Sequence, residues 1–241
     1  WSALGKAVGC YEAAVQYADI ADAAIGALTG VVGRNFAARH GASPGRGAVV
    51  LGMGSLGARH LNAQSDLDLI VIYDAAEAEG SSGPRPLATR AYYARLTQAL
   101  LTAVTAPTAA GRLYEVDMRL RPTGSKGPVA VRLSAFEDYY RREADTWEFM
   151  VLTRARVVWA SDADFAGEVE QGIERVLRVP RPGVDVAGDV LRMRGLMDRE
   201  RRPQGFWDLK LSPGGQVDAE FAAQYRQLIA AAEGGPLTPS T

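Results

Sequence analysis

Two aspartates, Asp66 and Asp68, lie two residues apart at the start of an apolar run that ends at Tyr73. This run, residues 66–73, predicts a buried β-strand. Because side chains alternate between the two faces of a strand, both carboxylates point to the same side. Neighbouring carboxylates repel each other and raise each other's pKa unless a cation neutralises them. The pair therefore predicts a bound divalent metal, and the first hypothesis is a metal-dependent reaction on phosphate.

A third acid, Asp117, lies in the stretch 113–121, where apolar and charged residues alternate. The alternation predicts one continuous strand, with Glu115, Asp117, Arg119 and Arg121 on a shared face. Nucleotidyl transfer uses two metal ions to clamp the attacking and the leaving oxygens, and carboxylates are the usual ligands of such ions. We therefore predict that Asp117 joins Asp66 and Asp68 as a catalytic residue and a metal ligand.

A glycine-serine pair, Gly54-Ser55, follows another apolar run, residues 46–53, that predicts a second buried strand. We expect a short helix over residues 56–61. Backbone N–H groups at the start of a helix bind phosphate, and the Ser55 hydroxyl adds a donor. The pair therefore predicts the binding site for a triphosphate.

The composition excludes several classes of protein. The chain has 241 residues, 47% of them hydrophobic, and a formal net charge of -1. This balance does not favour nucleic acid or an anionic membrane as a partner. No apolar stretch approaches the roughly 18 residues that span a bilayer, and the N-terminus lacks the features of a signal peptide. The single cysteine, Cys10, excludes an internal disulfide, so we expect a reducing, cytoplasmic setting.

Three regions are predicted along the chain. Residues 1–45 form a helical segment that packs on the core, residues 46–132 form the core itself, and residues 133–241 are mostly helical. Within these regions, helices are expected over residues 87–105 and 145–159, among others. The predicted fold class is α+β.

Several blocks, taken together and in this order, resemble the glutamine synthetase adenylyltransferases of the polymerase-β-like nucleotidyltransferase superfamily. The resemblance covers most of residues 46–225 and is carried by the blocks Gly-Met-Gly-Ser-Leu-Gly, Ser-Asp-Leu-Asp-Leu-Ile, Leu-Tyr-Glu-Val-Asp-Met-Arg-Leu-Arg-Pro, Thr-Trp-Glu, Leu-Thr-Arg-Ala-Arg-Val-Val, Asp-Leu-Lys and Val-Asp-Ala-Glu-Phe, at residues 52–57, 65–70, 113–122, 146–148, 152–158, 208–210 and 217–221.

The resemblance implies a polymerase-β-like core, a small mixed sheet with helices, flanked by helical segments. It implies transfer of AMP from ATP to a tyrosine of glutamine synthetase, which regulates nitrogen assimilation, with two Mg²⁺ ions as cofactors. Gly54, Ser55, Arg119 and Arg121 would bind the nucleotide, and Asp117 would be the base. A PII-type signalling protein is an expected partner, and nucleic acid and membrane are not.

Members of that family have two homologous halves, and this sequence looks more like the C-terminal, adenylylating half. The family also has a longer C-terminal helical region, so we expect the chain to be a fragment of a longer protein. The matched residues Glu148, Arg154, Arg156, Lys210, Asp218 and Glu220 have no role that the sequence alone defines.

Three other functions stay open at this point. One is the phosphorolytic, deadenylylating half of the same family. Another is a small-molecule or RNA nucleotidyltransferase of the superfamily, although the balanced charge argues against RNA. The third is a catalytically weak nucleotide-sensing module, because Ser55 stands where the family usually has lysine.

Overall fold

The computed structural model describes residues 9–109, 111–181, 183–201, 203, 205 and 207–239. The first eight residues of the predicted N-terminal segment 1–45 therefore lie outside the described part. Across the described residues, no helix combines the length and the apolar character that crossing a membrane requires.

The described residues form a mixed α/β structure, in agreement with the predicted α+β class. The helices are α1 (Cys10–His40), α2 (Gly54–Gly57), α3 (Thr89–Val104), α4 (Leu133–Arg142), α5 (Thr146–Leu152), α6 (Ala163–Arg178), α7 (Val186–Glu200) and α8 (Gln216–Ala232). The strands are β1 (Gly47–Gly52), β2 (Leu67–Asp74), β3 (Pro107–Thr108), β4 (Gly111–Arg112), β5 (Val116–Asp117), β6 (Ala130–Arg132) and β7 (Arg156–Ala160), and a short 3₁₀ helix spans Gly124–Lys126.

The main sheet has the strand order β5-β2-β1-β7, and β6 also pairs with β2. Strand β1 lies antiparallel to both β2 and β7. Strands β5 and β6 both run parallel to β2, with β5 beside its first residues and β6 beside its later ones. The two predicted buried strands are therefore confirmed, and they form the centre of the sheet.

Helices cover both faces of this sheet, which explains why β1 and β2 are almost wholly apolar. On one face, Val49, Leu51 and Ile70 pack in a cluster with Phe136 of α4 and Phe165 of α6. On the other face, the alternate residues of the same strands pack against α1 and α3. This second cluster includes Val50, Leu69, Ile25, Tyr92 and Leu100. The predicted helix over residues 87–105 is confirmed as α3.

The prediction of a continuous strand over residues 113–121 is wrong. Within residues 113–121, only Val116–Asp117 forms a strand paired with β2, and the chain turns directly afterwards. The Asp117 carboxylate accepts a hydrogen bond from the backbone N–H of Arg119, at 2.7 Å, and the Arg121 N–H donates to the Met118 carbonyl. These local bonds replace the strand ladder, so the four charged residues do not share one face.

The prediction of one helix over residues 145–159 is also wrong. Helix α5 ends at Leu152, and residues 156–160 form β7 beside β1. The Thr153 hydroxyl donates to the Met150 carbonyl at the end of α5, where the chain changes direction. The predicted region 133–241 thus contributes a strand to the sheet of the predicted core, and the region boundaries stay predictions.

Helix α2 begins at Gly54 itself, so the predicted helix over residues 56–61 is displaced and too long. The helix packs tightly on the chain before β7. A Cβ atom added to Gly57 would lie only 1.8 Å from the Arg154 carbonyl oxygen. Glycine at this position therefore sets the distance between α2 and the sheet.

We expect Gly57→Ala to lower the free energy of unfolding by about 2–3 kcal/mol, because a methyl group cannot fit against a backbone carbonyl. A matched control is Gly167→Ala in α6, where an added Cβ meets nothing within 4 Å. The control should raise stability by about 0.5–1 kcal/mol, since alanine favours helix. Urea denaturation measures both, and equal stability of the two variants would contradict the packing argument.

Candidate active site

The turn after β1 lies directly against Asp68. The Met53 N–H donates to the Asp68 carbonyl at 2.9 Å. Gly54 adopts a left-handed conformation, with φ of +52°, and a Cβ added to it would lie 2.6 Å from Asp68 Oδ2. Only glycine permits this approach without strain. The structure therefore brings the predicted phosphate-binding turn and the predicted metal-binding acid together.

Strand β5 places Asp117 beside Asp68. The two residues are directly opposite each other in the parallel pairing, and the Leu67 N–H donates to the Glu115 carbonyl at 2.9 Å. Opposite residues of paired strands project to the same face of a sheet, so the two carboxylates are neighbours. Asp66 lies one residue before β2 and acts on the same site through its charge.

The environment moves the pKa values of these neighbours in opposite directions. Burial, followed by repulsion from Asp117 and Asp66, raises the pKa of Asp68 to about 6, although Arg119 and Lys210 partly oppose the change. Hydrogen bonding to the Arg119 side chain lowers the pKa of Asp117, more than burial raises it. Burial therefore contributes most to the raised pKa of Asp68, and repulsion from the two neighbouring carboxylates adds to it.

Arg119 engages the third carboxylate. Its Nε atom lies 2.8 Å from Asp117 Oδ2, while most of the Arg119 side chain remains exposed. In the part of the chain that the structure describes, no group of three histidine, cysteine, aspartate or glutamate side chains is arranged to hold a metal ion. The Asp66, Asp68 and Asp117 metal site thus stays a prediction. Its chemistry fits a divalent cation, because anionic oxygen ligands are what Mg²⁺ prefers.

The other two charged residues of the predicted strand have different partners. The Arg121 guanidinium is buried and donates to the carbonyls of Met118 at 2.6 Å, Ser125 at 3.2 Å and Gly127 at 3.2 Å. Arg121 therefore stabilises the loop that follows β5, and nucleotide binding by it remains an untested prediction. Glu115 forms an exposed ion pair with Arg112.

The residues whose roles the sequence left open fall into two groups. Glu148 has a structural role: it caps α5 through the Asp145 N–H at 2.9 Å and accepts from the Tyr139 hydroxyl at 2.6 Å. Arg154 pairs with Glu220 at 3.3 Å, and Asp218 pairs with Arg194.

Lys210 differs from these, because its charge acts on Asp68 from the loop before α8. Nothing in the sequence predicted that Lys210 would lie near Asp68, apart from its place in one of the blocks that resemble the family.

We expect Asp68→Asn to stabilise the metal-free protein at pH 8 by about 3 kcal/mol. The folded-state pKa of about 6 lies above the ordinary value of 3.8, so ionisation of Asp68 opposes folding. This penalty is absent below about pH 4, grows as the pH rises, and is complete above about pH 7. Urea denaturation of the wild type and of Asp68→Asn, from pH 4 to pH 8 in the presence of a chelator, measures this penalty. A difference in stability that does not grow with pH would contradict the assignment.

Comparison with known proteins identifies the family. The family model described as glutamate-ammonia ligase adenylyltransferase matches residues 1–172. The chain is 51% identical over 225 residues to the bifunctional glutamine synthetase adenylyltransferase/adenylyl-removing enzyme of Caulobacter vibrioides. The matched region covers 93% of the chain and 23% of that relative. The chain is 46% identical over 239 residues to the protein of the same name from Mesorhizobium japonicum, covering 99% of the chain and 24% of the relative.

The chain thus spans about a quarter of the length of the curated relatives that it matches. A third relative of the same name, from Rhizobium meliloti, is 45% identical over 238 residues, or 98% of the chain. The family model covers more than half of the sequence and includes the candidate site. The chain therefore belongs to the glutamate-ammonia ligase adenylyltransferase family.

Proposed function

We propose that this chain transfers AMP from ATP to a tyrosine of glutamine synthetase, as the adenylylating unit of a longer protein, through a polymerase-β-like core. The observation that supports this best is the pairing of Asp68 with Asp117 beside the Gly54 turn. Nucleotidyl transfer needs acidic ligands for a metal next to donors for a triphosphate, and these elements meet at one end of the sheet. The names of the relatives support glutamine synthetase as the protein substrate.

The three aspartates would hold Mg²⁺, two ions by the resemblance, and bound magnesium neutralises the charge that develops on the phosphates. Asp117 has a lowered pKa and is ionised at neutral pH, so it can accept a proton. Tyrosine has an ordinary pKa of about 10, so its hydroxyl needs such a base. Release of Asp117 from Arg119 would raise the pKa of Asp117 beside Asp68 and make it a better base.

Gly54 and Ser55 would bind the triphosphate. Helix geometry leaves the first N–H groups of α2 without an intrahelical acceptor, and Gly54, where the helix begins, lies beside Asp68. In this proposal Arg119, once free of Asp117, contributes positive charge to the departing pyrophosphate, and Lys210 adds a second charge. Lys210 would then compensate for the serine at position 55.

Other parts of the proposal concern the setting of the reaction. A single cysteine fits a reducing, cytoplasmic environment. A PII-type signalling protein is the regulator that the family resemblance suggests. The near-neutral net charge favours a protein substrate over nucleic acid.

The double variant Asp66→Ala/Asp68→Ala should lose AMP transfer by about 10²–10³-fold or more, because the metal loses its ligands. The assay uses labelled ATP, Mg²⁺ and glutamine synthetase, and detects label on a tyrosine. The matched control is Asp74→Asn, which changes an aspartate at the far end of β2 and should retain transfer. Circular dichroism checks that both variants are folded.

Transfer at the wild-type rate by the double variant would overturn the site assignment. A second arm incubates adenylylated glutamine synthetase with phosphate and Mg²⁺, without ATP. Release of ADP in that arm, with no transfer in the first, would assign the chain to the deadenylylating activity instead. Binding of ATP and Mg²⁺ by calorimetry with no reaction in either arm would indicate a nucleotide-sensing module.

A further inference from the structure

Arg156, the first residue of β7, reaches the carboxyl end of α2. Its Nη2 atom donates to the Leu56 carbonyl at 3.1 Å, and its Nε atom donates to the Gly57 carbonyl at 3.3 Å. The last carbonyls of a helix lack the regular N–H donor four residues later, so they take donors from elsewhere. The Leu56 carbonyl accepts from the backbone N–H of Arg59 at 3.2 Å as well as from Arg156. A guanidinium supplies several donors in one plane and satisfies two of these carbonyls at once.

The same guanidinium is fixed from the other side by α1. Asp22 accepts from Nη1 at 2.8 Å and from Nη2 at 3.0 Å. About four fifths of each of the two side chains is buried. A bidentate pair with low exposure is both stronger and better defined in direction than a surface ion pair. Asp22 therefore determines where the guanidinium points.

The strand pairing puts Arg156 next to the turn. Arg156 is opposite Gly52, the last residue of β1, and a bulge between Val50 and Leu51 sets this register. Gly52 leads directly into Met53 and Gly54, which contact Asp68. One side chain thus connects α1, β7 and the turn at the candidate site.

A four-residue helix does not hold its own shape. The cost of fixing the first turn exceeds what its few hydrogen bonds return, so tertiary contacts must maintain it. In α2 these contacts are the full burial of Leu56 in the second apolar cluster, the packing of Gly57 on the Arg154 carbonyl and the hydrogen bonds from Arg156. Among these contacts, the bonds from Arg156 are the ones that a charged side chain donates to the last carbonyls of the helix.

We propose that Arg156 is a positioning residue: it binds the Leu56 and Gly57 carbonyls, is oriented by Asp22, and so holds the Gly54-Ser55 turn in place against Asp68. The consequence for ATP rests on the proposed function, in which this turn binds the triphosphate. Loss of the guanidinium removes its donors from the Gly57 and Leu56 carbonyls and the shorter ion pair of Asp22, and the turn then samples other positions. Arg59 still donates its backbone N–H to the Leu56 carbonyl at 3.2 Å and lies 3.8 Å from Asp22. Through its bonds to Arg156, Asp22 also connects α1 to the candidate site, although Asp22 itself does not contact the turn.

Hydrogen exchange of the full chain tests the positioning role without any assay of activity. The Gly57, Ala58 and His60 N–H groups bond to the Met53, Gly54 and Ser55 carbonyls. In Arg156→Gln we expect exchange of these amides to become about tenfold faster, while protection in β1 and β2 is retained. Asp22→Asn should change the same amides in the same direction by a smaller factor.

Arg178→Gln is the matched control. Arg178 also donates to two carbonyls, those of Ala231 at 3.2 Å and Gly235 at 2.9 Å, and it pairs with Glu174 at 2.8 Å. It makes these contacts between α6 and the end of α8, and none of them involves residues 53–60. Its loss should leave exchange over residues 53–60 unchanged.

Steady-state kinetics gives the second readout. In Arg156→Gln the KM for ATP should rise about tenfold, because a binding contact is displaced. The KM for glutamine synthetase and the kcat should change less than twofold. Arg156→Lys keeps a positive charge beside Asp22 and should recover part of the ATP affinity.

Unchanged exchange over residues 53–60 in Arg156→Gln, or an equal change in Arg178→Gln, would overturn the positioning role. If Arg156→Gln does not fold, Arg156→Lys and Asp22→Asn decide by the same exchange measurement. If the wild-type chain transfers no AMP, the proposed function fails, while the exchange result still decides the role of Arg156.

Discussion

The structure of the candidate site depends on one electrostatic conflict, the burial of Asp68 beside two other carboxylates. The conflict exists because β2 is held on both faces by apolar clusters and cannot move its first residues into solvent. Gly54 brings the backbone of the turn against the same carboxylate, and β5 brings Asp117 to its side. The protein offsets only part of the charge, through Arg119 and Lys210. In the proposed function a hard cation would complete the balance, and this is the physical basis of the proposed magnesium chemistry.

Three arginines illustrate how the same side chain acquires different roles from its surroundings. Arg119 is exposed and faces a carboxylate, so its contact can be exchanged for another. Arg121 is buried among carbonyls of its own loop and acts as an internal support. Arg156 lies between the two cases, with a carboxylate on one side and helix carbonyls on the other. Charge alone does not distinguish these roles, and the partners and the burial do.

Sequence reasoning predicted correctly the two central strands, whose periodicity is clear. The apolar runs of β1 and β2 predicted buried strands, and the position of the acids at the edge of β2 predicted that they converge. It failed where a local interaction overrides the pattern. The alternation over residues 113–121 has the period of a strand, yet the side chain of Asp117 binds the backbone of Arg119 and closes a turn. Residues 156–160 are rich in valine and carry a tryptophan, a signal for β-structure that the preceding helical pattern obscured.

The third carboxylate is on one of the shortest strands of the protein. Strand β5 has two residues, whereas β2 has eight and is buried on both faces. The free energy needed to detach so short a strand is far below that of unfolding the sheet, since few hydrogen bonds and little apolar surface are lost. The carboxylate of Asp117 can therefore leave and return while the remainder of the fold stays intact. The position of the Asp117 carboxylate and the thermodynamic stability of the sheet are consequently separate properties of this protein.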